Sequence, residues 1–199
     1  GRITGQNEIE MSVIFNKLTR YWNEPTPGLW RNTLLIVADD EHTTKIKNDK
    51  VHSIQAQQIS EMISPSIITD KLFGFEYPFD PFGNKPEARD NTVRRINEGR
   101  LVWYYVGHGN YDLMGQESYF RAVDIQSLTN RDHLPLFIAA SCDVGKLDYF
   151  SYDSLSERLL VYPNGGSIAS LAATGVSSPN PNHGLFSSFF RLLLNQYTL

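Results

Sequence analysis

The chain has 199 residues, of which 41% are hydrophobic and 12% aromatic, a composition suited to one domain with an ordinary packed core. Its 18 Lys and Arg against 22 Asp and Glu leave a net charge of −4, which argues against nucleic acid because phosphate binding needs clustered basic residues. No apolar run reaches the roughly 18–20 residues of a membrane span, and the single Cys excludes an internal disulfide and a Cys-rich zinc site.

The opening GRITGQNEIE lacks the basic and apolar regions of a signal peptide. The expectation is one catalytic domain over residues 1–199, excised from a larger protein, with 1–29 as an N-terminal helix and linker. Apolar residues recurring from Ile9 to Trp22 predict an amphipathic helix over Asn7–Trp22, with Glu8 and Glu10 early and Arg20 late to suit its dipole. The stretch from Asn23 to Gly28 stops it. TLLIVA, Thr33–Ala38, reads as a first core strand and ends in Asp39-Asp40-Glu41-His42.

Asp49–Ile63 predicts a helix of poor period, and Ile67–Phe73 a second strand. FEYPFDPFGNKP, Phe75–Pro86, is an aromatic-rich loop, since Pro removes ladder donors. Ala88–Asn97 predicts a short helix stopped by Gly99. It leads into LVWYYV, Leu101–Val106, and the pattern is a βαβ step.

A polar surface loop is expected from His108 to about Phe120, then a helical turn near Val123–Leu128. LPLFIAAS, Leu134–Ser141, is a further buried strand, Ser151–Val161 a helix, and SIASLAAT, Ser167–Thr174, another buried strand. GVSSPNPNHG forms a loop before a last helix, Leu185–Tyr197. Alternating strand and helix patterns predict an α/β sandwich around a mostly parallel sheet.

The chemistry concentrates at two strand ends. Gly107-His108-Gly109-Asn110 follows LVWYYV, and Cys142 follows LPLFIAAS. In open parallel sheets ligands bind beyond the carboxyl ends of the strands, so one rim would carry both side chains. An imidazole within reach of a thiol can take its proton, and the thiolate is the nucleophile. A lone Cys is ordinarily a small buried hydrophobe, and a His between glycines can be a surface turn. Their equivalent placement on two strands favours the reactive reading. The backbone N–H groups of Gly109 and Cys142 are candidate donors to a developing oxyanion.

Asp39 and Asp40 lie beyond the first strand on the same rim. One could orient His108 as a third catalytic residue; with Glu41 and Asp49 they could instead bind calcium, or form a solvated acidic loop. His42 and His52 lack ligand spacing, His133 is expected to be exposed, and His183 is placed in the loop after the final strand. The Ser-rich TGVSSPN lacks the G-x-S-x-G elbow and reads as a cleft wall. GHGN and NGGS lack phosphate-loop spacing.

A strand ending in His-Gly followed by one ending in Cys resembles the caspase-like cysteine peptidases. LVWYYVGHGN, LTNRDHLPLFIAASCDVGKLD and GGSIASLAATGVSSPN are similar to the gingipain family, and with WRNTLLIVADD they look most like its PorU-type sortases of the type IX secretion system. The resemblance implies a caspase-like three-layer α/β sandwich, with His108 as general base and acid and Cys142 as nucleophile. It implies removal of the C-terminal signal domain from secreted cargo at the cell surface, and passage of the acyl group to water or to an amine of an anionic lipopolysaccharide. Implied partners are that cargo, the lipopolysaccharide amine and an outer-membrane subunit of the secretion machinery. No cofactor is implied as a requirement, and a structural calcium ion stays open. The alternatives are a secreted gingipain-like protease without transfer activity and an inactive caspase-like binding module.

Overall fold

The computed structural model describes residues 2–40, 50–148 and 151–195. Asn7 caps the first helix, α1 (Glu8–Asn23), by accepting the N–H of Glu10. Then follow β1 (Thr33–Ala38), α2 (Val51–Met62), β2 (Ile68–Phe73), α3 (Pro86–Asn97), β3 (Val102–Val106), β4 (Leu113–Met114), β5 (Phe120–Arg121), β6 (Leu136–Ala140), α4 (Leu155–Val161), β7 (Ala169–Ala172) and α5 (Pro179–Asn195). The main sheet has the order β2-β1-β3-β6-β7, and all its pairs are parallel. This is the expected α/β sandwich.

The unbroken apolar runs exist because both faces of the sheet are covered. Successive side chains alternate between the faces. Leu35, Val37, Trp103, Tyr105, Phe137 and Ala139 face α3, α4 and the β4–β5 hairpin. Leu34, Ile36, Tyr104, Val106, Ile138 and Ala140 face α2 and α5, where Phe186 and Phe190 close over them. Lys17 of α1 is buried and donates to the carbonyls of Leu159, Leu160 and Ser167 at 2.9, 2.9 and 3.3 Å. It thereby satisfies the last carbonyls of α4 and fastens α1 to the core.

Four expectations fail. The segment after His108 is not a polar surface loop. It forms the β4–β5 hairpin, and Met114, Glu117, Ser118, Tyr119 and Phe120 are buried. Polar letters concealed this because Glu117 and Ser118 are buried with the aromatics. β7 is an edge strand of alternating exposure rather than a buried one. α5 begins at Pro179, so His183 is helical and not in a loop. Proline at the start of a helix loses no hydrogen bond, and its fixed φ suits the first turn; the same logic starts α3 at Pro86, two residues before the expected start. His133 is half-buried, its ring 5.3 Å from that of Trp30. Glu41, His42 and Asp49 lie outside the described residues.

Candidate active site

β3 and β6 lie side by side, with Val106 opposite Ala140. His108 and Cys142 each stand two residues beyond that pair, so parallel pairing brings them out together at the carboxyl rim. His108 is exposed and Cys142 half-buried. The Gly107 N–H still reaches the Ala140 carbonyl at 3.4 Å, extending the ladder one step toward the site.

The glycines around His108 are there for room. A Cβ on Gly107, which is buried, would overlap the Tyr105 hydroxyl and the Asp39 Cβ. One on Gly109 would overlap Ser141 Oγ and stand 3.0 Å from Val144 Cγ2. The second clash ties the His108 turn directly to the residue before Cys142.

The backbone of His108 is held at both polar ends. Its N–H donates to Asp39 Oδ2 at 3.0 Å. Its carbonyl accepts the Tyr105 hydroxyl at 2.6 Å and the Gly115 N–H at 2.9 Å. Burial, then the Asp39 carboxylate, holds the Tyr105 phenol well above its ordinary range, so it stays a donor. The imidazole itself has no hydrogen bond among the described residues. Its ring contact is with His52 of α2, whose centroid lies 5.2 Å away at an interplanar angle of 80°.

Cys142 faces the loop after β7. Its Sγ donates to the Ser177 carbonyl at 3.3 Å and accepts the Ser177 N–H at 3.4 Å. Asn182 Nδ2 steadies the Ser177 hydroxyl at 2.9 Å. The two rim loops are laced together by Asp143 N–H to the Gly175 carbonyl, 3.1 Å, and Gly145 N–H to the Ala173 carbonyl, 2.9 Å. Ser177 of TGVSSPN is thus beside the thiol. Among the described residues the backbone N–H groups of Gly109 and Cys142 make no hydrogen bond.

Beneath the rim, carboxylate oxygens of Asp39, Asp40 and Glu117 lie within 4.8 Å of one another. The Lys85 ammonium is bonded to Asp40, and also to the Gly74 carbonyl at 2.6 Å. The Tyr119 hydroxyl donates to Asp40 at 3.1 Å. Calcium requires six to eight oxygen ligands at close range. A buried ammonium already stands on Asp40 and the His108 N–H on Asp39, and Glu41 and Asp49 of the expected calcium set lie outside the described residues. Of the three carboxylates Lys85 pairs with one, Asp40. Glu117 is the odd member of the three: burial, then the Asp39 charge, raises its carboxyl to about 7.

Sequence reasoning therefore placed His108, Cys142, Gly109, Asp39 and Asp40 at one end of the sheet, where they are. It set His52 aside for want of ligand spacing, held Ser177 only as part of the TGVSSPN wall, and gave no role to Lys85 or Glu117. No local signal pointed to the last two.

The model of peptidase family C25 matches residues 1–198. The Arg-specific cysteine proteinase gingipain R superposes with a TM-score of 0.78 at 20% identity, over 99% of this chain and 44% of that one. The complex of Porphyromonas gingivalis RgpB pro- and mature domains gives 0.68 at 19% identity, over 96% and 45%. A structure described as a protease gives 0.67 at 16%, over 90% and 37%. The chain thus spans less than half the length of these solved relatives. No curated protein matches it significantly.

Proposed function

The chain belongs to peptidase family C25, the gingipain-like cysteine peptidases, and from that membership we propose that Cys142 is its nucleophile and His108 its general base and acid. The observation that carries this is their equal reach beyond the paired Val106 and Ala140.

His108 takes the proton of the Cys142 thiol, and the thiolate attacks the scissile carbonyl carbon. The developing oxyanion is received by the Gly109 and Cys142 N–H groups, each donor being worth roughly 3 kcal/mol in such a site. Collapse breaks the C–N bond, and His108 passes its proton to the departing amine. The resulting thioester is attacked by water or by another amine. His108 takes the proton of that acceptor and returns it to sulfur as the acyl group leaves.

The likeness of three sequence motifs to the sortase members supports a finer reading. The acceptor is an amine of an anionic lipopolysaccharide, the substrate is cargo bearing a C-terminal secretion signal, and the work is done at the cell surface beside an outer-membrane subunit. The fold shared with gingipain R supports hydrolysis instead. Among the described residues no helix is long and apolar enough to cross a membrane.

The experiment is intact-mass analysis of the protein incubated with a cargo-junction peptide, with and without glycinamide. An acyl adduct on wild type that is absent from Cys142→Ala, with glycinamide joined to the released acyl product, supports peptidase and transferase together. A hydrolysed product alone at high glycinamide removes the transfer reading. An adduct that persists in Cys142→Ala removes the nucleophile assignment.

A further inference from the structure

Fixing a histidine's backbone does not fix its ring. Asp39, Tyr105 and Gly115 hold the N–H and carbonyl of His108, yet an exposed side chain can still spread over several staggered rotamers. A general base must keep its nitrogen aimed at the thiol. In the triad arrangement an acid bonded to the imidazole does this, but here the Asp39 carboxylate bonds the backbone N–H. Asp40 is engaged by Lys85 and Tyr119.

We propose that His52 is the positioning residue for His108, holding the imidazole in its productive orientation through edge-to-face ring contact. This rests on the assignment of His108 as the base. The rings meet at 5.2 Å and 80°, within the range where aromatic pairs attract. His52 is 3% exposed, so its own ring is fixed by packing in the first turn of α2. The next residue, Ser53, donates its hydroxyl to the Asp39 carbonyl at 3.2 Å. Asp39 therefore joins both histidines: its carbonyl holds the turn that carries His52, and its carboxylate holds the backbone of His108. Their mutual distance is set by one residue at the end of β1.

The strength of such ring pairs corresponds to about a two- to tenfold preference for the paired rotamer. The test is the rate at which iodoacetamide alkylates Cys142 at pH 7 in wild type, His52→Leu, His52→Phe and His108→Ala, with the thermal midpoint of each. Leu fills space without a ring, and Phe keeps the ring without nitrogens. His52→Leu is expected to slow alkylation about two- to tenfold, toward the His108→Ala rate, and His52→Phe to stay within about twofold of wild type. A purely structural role would lower both thermal midpoints without separating the two rates.

Wild-type speed in His52→Leu, or equal slowing in Leu and Phe, overturns the proposal. If His108→Ala itself alkylates like wild type, the base assignment fails instead, so the two failures are distinct. Should His52→Leu not fold, wild type decides by nuclear Overhauser contact between carbon-bound protons of the two imidazoles. Its absence overturns the pairing.

Discussion

The Asp39 carboxylate accepts the backbone N–H of His108 at 3.0 Å, and no described hydrogen bond joins it to the imidazole. A carboxylate in that place shapes the turn that carries His108. In a triad the acid bonds the imidazole itself and sets its tautomer.

Replacing Asp39 by Asn should therefore be mild. Asn keeps an oxygen for the His108 N–H, and peptidase activity is expected to stay within about tenfold of wild type, whereas loss of a triad acid costs about 10⁴. Asp39→Ala removes the acceptor of the part-buried His108 N–H and should cost about 0.5–1.5 kcal/mol of stability. Steady-state turnover and thermal unfolding of both variants check this; a collapse of activity in Asp39→Asn at unchanged stability would restore the triad reading.

Gly109 and Ser141 are expected to be coupled. A methyl on Gly109 meets Ser141 Oγ, which is buried and has no hydrogen-bond partner among the described residues. Gly109→Ala should lose about 1–3 kcal/mol through overpacking and slow alkylation of Cys142. Removing the hydroxyl makes space, so Ser141→Ala in the same chain should recover most of both losses. A double-mutant cycle with no interaction energy contradicts the contact.

Glu117 should give the protein a pH dependence of its own. Burial, then Asp39, raises its carboxyl from 4.5 to about 7, so the folded state holds this proton more tightly than the unfolded one. The contribution is full below about 4.5 and is lost as pH rises through about 7. Wild-type stability relative to Glu117→Gln is then expected to fall as pH rises across that window. Urea unfolding of both proteins at pH 4.5, 6 and 8 reads the difference, and a flat difference would mean an ordinary carboxylate.

Much of the fold was legible because its signals are local. TLLIVA, VWYYV and LFIAA are apolar on both faces, a pattern that a covered parallel sheet imposes on each strand separately. The residues just past such strands must lie at the rim, so His108 and Cys142 could be placed together from their neighbours in the chain. Glu8, Glu10 and Arg20 likewise suited the dipole of α1, and the stretch from Asn23 to Gly28 marked its end. Where burial was polar the local signal failed: the segment with Glu117 and Ser118 read as surface, and the edge position of β7 left no mark on SIASLAAT.

The amino-acid sequence by itself determined the layered α/β architecture, the rim positions of His108 and Cys142 and the glycines that let the His108 turn approach. Only the tertiary structure decided what each polar group touches. Asp39 meets a backbone amide because β1 pairs with β3. Lys85 is brought from the start of α3 to neutralise Asp40. The packing of α2 against the sheet sets His52 on the His108 ring. These contacts join residues far apart in the chain, and their energies depend on burial and angle, which no spacing of letters records.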